Sequence, residues 1–178
     1  RQPGQEEPIV LKKILASFDS DDEFVEMFLD EARVGMQLEH PNIGRFLDAG
    51  EERGRYFIAM EWVNGVTLAK LVRRARKSGG IPPVMAGEIV RAIADALHYA
   101  HTSRDENGDL MGLIHRDVSP HNIMIGYDGT VKLLDFGIAK AMGAAHITAA
   151  GVVKGKFAYM APEQCEGETI DFRSDIFA

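Results

Sequence analysis

Five polar residues of this 178-residue chain have types and spacings that suit chemistry: Lys12, Glu31, Asp117, Asn122 and Asp135. Asp117 and Asn122 stand five positions apart, and an asparagine carbonyl with an aspartate, as at Asn122 and Asp135, suits a hard divalent cation whose shell is completed by other oxygen donors. Lys12 is a cation inside the apolar run Ile9, Val10, Leu11, Ile14. Glu31 follows Phe24, Met27 and Phe28 at helical spacings of three and four, and a carboxylate on such a packing face needs a partner. Two other chemistries have less footing. His98 and His101 lie three apart and either share a metal or form a packed, hydrogen-bonded pair, but no carboxylate or cysteine sits beside them at ligand spacing. The single cysteine, Cys165, has no helper-histidine motif for nucleophilic catalysis.

The rest of the composition narrows the field. An apolar share of 46% with 26% charged residues is that of a globular chain with a real core. With 27 acidic against 20 basic residues the net charge is -7, which provides no field to attract nucleic acid or an anionic membrane. The basic cluster Arg73 to Lys77 reads as a solvated helix face. No apolar run is long enough to span a bilayer, and Val84 to Ala100 is interrupted by Glu88, Arg91 and Asp95. One cysteine rules out an internal disulfide framework and suits a reducing, cytoplasmic setting.

These residues have to be carried by definite elements. Residues 9 to 15 read as a short strand. Ser20-Asp21-Asp22-Glu23 matches a capping box, with Ser20 as the cap of a helix running to about Leu38. Strands are expected at Ile43 to Ala49 and Arg55 to Val63, ended by Asn64-Gly65. Helical periodicity covers Thr67 to Lys77 and Pro83 to Thr102, the latter with Val84, Ile89, Ile93, Ala96, Leu97 and Ala100 on its apolar face. A small hairpin follows, from Ile123 to Ile125 and Val131 to Leu134 about Tyr127-Asp128-Gly129. Strands and one helix, then helices, then a hairpin, is the order of an α+β fold with two lobes rather than an alternating parallel sheet.

In order and spacing, Ile9-Val10-Leu11-Lys12, Glu31, His115-Arg116-Asp117-Val118-Ser119-Pro120-His121-Asn122, Asp135-Phe136-Gly137 and Ala161-Pro162-Glu163 resemble the motifs of the protein kinase family. Phe28 to Arg33, His40-Pro41-Asn42-Ile43 and Tyr159 to Gln164 bring the chain closest to bacterial eukaryotic-like (Hanks-type) serine/threonine kinases. The resemblance implies a two-lobed fold, with 1–63 as part of the small lobe and 64–178 as part of the large one. It implies ATP and Mg²⁺ as cofactors and protein hydroxyls as acceptors. Lys12 would contact the α and β phosphates and Glu31 would orient it; Asp117 would take or orient the acceptor proton; Asn122 and Asp135 would hold Mg²⁺. Met60 would be the gatekeeper, Glu61 and Val63 would offer backbone groups to adenine, and Val10 and Met124 would enclose the ring. His115 and Phe136 are packing residues in this reading. Asp175 would brace the catalytic loop, and Arg116 before Asp117 implies control by phosphorylation, for which Thr148 is the single Ser or Thr between Gly137 and Ala161.

Three features depart from the family pattern. Where such kinases place a lysine two residues after the catalytic aspartate this chain has Ser119, and where they have Gly-Thr it has Gly155-Lys156. The two side chains look exchanged, so Lys156 is expected to supply the cation and Ser119 the hydroxyl. No glycine-rich loop precedes Lys12, and the chain stops at the opening of the large lobe's central helix. The expectation is therefore a catalytic domain truncated at both ends and inactive as a fragment, with Glu163 lacking the downstream arginine that normally pairs with it. The competing readings are a pseudokinase acting as a binding module and a small-molecule phosphotransferase of kinase-like fold. The first conflicts with the intact set of five, the second with the Ala161-Pro162-Glu163 platform.

Overall fold

The computed structural model describes residues 8–14, 21–136 and 157–178. It contains two three-stranded antiparallel sheets with helices beside them. In the first sheet β1 (Ile9–Lys13) and β2 (Phe46–Glu52) flank β3 (Arg55–Glu61). Val10 lies opposite Met60 and Lys12 opposite Ile58, so these four share one face. Helix α1 (Asp22–Gly35) covers that face, burying Phe28, Ala32 and Gly35 against a core of Ile14, Phe46, Ile58 and Met60. Gly35 is required there: a Cβ would come within 2.7 Å of the Phe46 ring.

The helix begins one residue later than the capping box suggests. Asp21 is the N-cap, and its Oδ1 accepts the Phe24 N–H at 3.1 Å. Asp21 and Ser20 are both good caps, and the sequence alone does not choose between them. Ile43 also departs from expectation. It does not start β2; it forms an isolated parallel bridge with Leu133 and packs with Leu38 into the second, larger core. That core centres on α3 (Pro83–Thr102), whose Ile89, Ala92, Ile93, Ala96, Leu97 and Ala100 are buried. Val84, in the first turn, is 81% exposed because that turn projects past the core. The expected solvated cluster is solvated: Arg73, Arg74, Arg76 and Lys77 at the end of α2 (Leu68–Ala75) and just beyond are exposed.

The second sheet has order β4 (Gly65–Thr67), β5 (Ile123–Gly126), β6 (Val131–Leu133). β4 falls where the sequence shows only a turn. It pairs because Gly65 has no side chain: a Cβ would sit 2.1 Å from the Ile125 carbonyl oxygen. The two sheets are tied beside β6, where Gly44 N–H donates to Leu133 O, Leu133 N–H to Asn42 O and Asn42 Nδ2 to Val131 O, all at 2.8 to 2.9 Å. Two short helices, α4 (Pro162–Glu166) and α5 (Arg173–Phe177), close the described chain.

Candidate active site

Lys12, on the covered face of β1, reaches Glu31 of α1 at 2.7 Å and Asp135, just past β6, at 3.2 Å. One ammonium thus joins three elements that are far apart in sequence. Burial works against its charge, but the neighbouring Asp135 and Glu31 carboxylates outweigh that and hold Lys12 above the ordinary lysine range. Burial raises the Glu31 carboxyl, and Lys12 opposes the rise. Glu31 is thus buried against a half-buried Lys12 that remains an ammonium.

Asp135 is placed by its backbone. Leu134 N–H donates to Asn122 O at 2.8 Å, and Asp135 itself has φ of +55°, a left-handed conformation uncommon for a residue with a Cβ. The same bond brings Asn122 beside Asp135. Asn122 Nδ2 donates to the Asp117 carbonyl at 2.8 Å and to Asp117 Oδ2 at 2.9 Å, which leaves Oδ1 as the end of the amide available to a cation. An amide oxygen and a carboxylate fit Mg²⁺ when phosphate and water oxygens complete the octahedron. Among the described residues no group of three or more His, Cys, Asp or Glu forms a self-sufficient metal cage.

The loop from His115 to Asn122 is braced from behind by Asp175 of α5. Its Oδ2 accepts the His115 N–H at 2.8 Å and its Oδ1 the Arg116 N–H at 2.7 Å. His101 Nε2 contacts the same Oδ2 at 2.8 Å, so His101 belongs to this brace rather than to a metal pair with His98. The sequence missed that partnership because 74 residues separate the two. His115 is fully buried, 4.6 Å from the Phe136 ring by centroids. Its Nδ1 accepts the Asp117 N–H at 3.2 Å, and its Nε2 donates to Leu134 O at 3.1 Å. Both bonds require the neutral imidazole, and burial lowers the His115 pKa in that direction.

Ser119 is buried at 2% exposure, and its Oγ is the one buried side-chain oxygen or nitrogen without a hydrogen-bond partner among the described residues. Lys156 and Thr148 lie outside those residues. Glu163 is half-buried and its carboxylate accepts from Ser174 Oγ. At the junction of the sheets, Met60 is buried behind Lys12 and Val10 is 37% exposed. Met124 is half-buried on β5. Val63 has neither its N–H nor its C=O engaged among the described residues. Glu61 behaves less simply: its N–H donates to Arg45 O at 2.9 Å, while its carboxylate accepts from Arg45 N at 2.8 Å and pairs with Lys132 at 2.7 Å. That clamp between the two sheets has no signal in the sequence.

With this geometry in view, comparison with known proteins gives the class. The protein kinase domain family matches residues 1–178, and the chain belongs to it. It is 45% identical over 177 residues to the tyrosine-protein kinase MasK of Myxococcus xanthus, covering 98% of this chain and 27% of MasK. It is 36% identical over 170 residues to the serine/threonine-protein kinase PrkC of Bacillus subtilis, covering 96% of this chain and 24% of PrkC. PknL of Mycobacterium bovis, a serine/threonine-protein kinase, is 36% identical over 171 residues, with 40% of its length covered. The chain thus spans 24% to 40% of the length of these relatives. The crystal structure of the Mycobacterium tuberculosis PknI kinase domain superposes with a TM-score of 0.69 at 32% identity, covering 98% of this chain and 60% of that one. The kinase fold and the kinship with bacterial serine/threonine kinases are therefore established. No described helix is long and apolar enough to cross a membrane.

Proposed function

We propose that this chain carries the catalytic centre of an ATP-dependent protein kinase that acts in the cytoplasm and phosphorylates serine or threonine hydroxyls of protein substrates. The observation that carries the reading is Lys12 held at 2.7 Å from Glu31 and 3.2 Å from Asp135, the arrangement a phosphate-binding ammonium needs. Lys12 would neutralise the phosphates. Asn122 Oδ1 and Asp135 would hold Mg²⁺, which when bound supplies charge neutralisation at the phosphate oxygens. Asp117 would take the acceptor hydroxyl's proton and hold the oxygen in line. Adenine would lie between Val10 and Met124 beside Met60 and hydrogen-bond backbone groups of Glu61 and Val63, for which the open N–H and C=O of Val63 speak. The lobes would divide at residues 63 and 64.

Two finer parts belong to the same reading. Lys156 would supply the cation absent from position 119, and the orphaned Ser119 hydroxyl is a receptor for it. Phosphorylated Thr148 would pair with Arg116 and raise activity. A second acceptor calls for a test, because MasK is named a tyrosine kinase and Ser119 replaces the usual serine/threonine marker. Incubating the purified full-length protein with labelled ATP, Mg²⁺ and a generic protein substrate, followed by phosphoamino-acid analysis, decides both points. Phosphoserine or phosphothreonine that disappears in Asp117→Asn is expected. Transfer that persists in that variant overturns the assignment, and phosphotyrosine alone overturns the acceptor.

A further inference from the structure

Gln164, in α4, is bonded to the loop that carries Asp117. Its Nε2 donates to the carbonyl oxygen of Arg116 at 2.9 Å, and its Oε1 accepts the Ala161 N–H at 3.0 Å. Both ends of the amide are used, so its orientation follows from its partners: reversed, it would set oxygen against oxygen and N–H against N–H. The bond to Ala161 is local, the usual reach of a third helical residue back to its cap. The bond to Arg116 spans 48 residues and has no such local cause.

Its target is a strained position. Arg116 has φ of +64°, a conformation that a residue with a Cβ keeps only when its surroundings hold it. The Arg116 N–H is held by Asp175. Its carbonyl is held by Gln164, and the peptide group that begins with that carbonyl ends in the Asp117 N–H, which His115 Nδ1 accepts. One side of the peptide plane is fixed by Gln164 and the other by His115. Without the Gln164 bond, that plane beside the strained residue is held only by the 3.2 Å bond from the Asp117 N–H to His115 Nδ1, and any rotation it gains moves the Asp117 side chain.

We propose that Gln164 is a positioning residue for Asp117: it couples α4 to the catalytic loop through the Arg116 carbonyl. The inference rests on Asp117 acting at the acceptor hydroxyl, as proposed above.

Gln164→Glu and Gln164→Met in the full-length protein separate this from a local capping role. The glutamate keeps an acceptor for Ala161 N–H but has no donor for Arg116 O; the methionine keeps the length and loses both bonds. Positioning predicts that both variants lose about tenfold or more in kcat, since misplacement of a catalytic group by an ångström costs up to ~100-fold, with KM for ATP within about twofold of the parent. Capping alone predicts a parent-like glutamate variant and an impaired methionine variant, and that result overturns the proposal. Hydrogen exchange of the segment Leu113 to Ser119 supplies a readout independent of turnover. Faster exchange in both variants is expected, and exchange unchanged in the glutamate variant counts against it. Failure of the kinase reading is visible separately, as a parent protein that transfers no phosphate or an Asp117→Asn variant that still does.

Discussion

The carboxylate of Asp175 accepts the backbone N–H of Arg116 at 2.7 Å across 59 residues of chain, and its second oxygen accepts the N–H of His115 at 2.8 Å. Asp175 is 3% exposed, so removing it strands two loop N–H groups and the His101 ring in a dry site. A buried donor left without a partner costs about 1–3 kcal/mol, so the two N–H groups stranded by Asp175→Ala should lower unfolding free energy by roughly 2–6 kcal/mol. Urea denaturation of the full-length protein measures it. A loss under about 1 kcal/mol, the size of an ordinary point change, would show that the loop holds itself.

Lys12 and Glu31 should respond differently to substitution. Lys12→Met removes the ammonium proposed to meet the phosphates and is expected to lower turnover by about 100-fold or more. Glu31→Gln leaves the ammonium but removes its orienting charge, and a smaller loss, about tenfold, is expected. Steady-state kinetics with varied ATP separates the two. Equal and slight effects would sink the proposed role of the pair.

His115 makes a prediction about pH. Burial lowers its folded-state pKa below the ordinary value of 6.5, so the unfolded chain binds a proton that the folded chain refuses. Stability is therefore fully present above pH 6.5 and is lost as pH falls from there towards the folded-state value. The slope contributed by this one group is at most about 1.4 kcal/mol per pH unit. Denaturation midpoints between pH 7 and 5 test it, with His115→Phe expected to flatten the slope. A variant with an undiminished slope would place the titration elsewhere.

The proposed exchange of roles between Ser119 and Lys156 can be tested with two substitutions. Ser119→Ala removes a hydroxyl that is buried without a partner among the described residues, so stability should be unchanged or slightly higher, while turnover falls. Lys156→Met should lower kcat strongly with little change in ATP affinity. Unchanged turnover in both would mean that neither residue serves the reaction.

Part of this architecture is legible in the amino-acid sequence alone. The spacing of Lys12, Glu31, Asp117, Asn122 and Asp135, the buried stripe of α3 and the Tyr127-Asp128-Gly129 hairpin are determined by local pattern, because residue type and period are properties of short windows. The element boundaries are less so. Ser20 and Asp21 are equivalent caps on paper, and Gly65 reads as a turn until its lack of a Cβ is seen to admit the Ile125 carbonyl.

What tertiary structure alone decided is which distant groups meet. Ile43 leaves the first sheet for Leu133 and the larger core. Glu61 commits its carboxylate to Arg45 and Lys132. Glu163 takes the Ser174 hydroxyl, His101 joins Asp175, and Gln164 reaches the Arg116 carbonyl. No periodicity encodes these pairings. The polar ones follow from the requirement that a polar group removed from water find a partner wherever packing has brought one, and packing, which also places Ile43, is a property of the whole fold. The sequence by itself determined which groups are proposed to react and the elements that carry them; the folded chain decided how Asp117 is held.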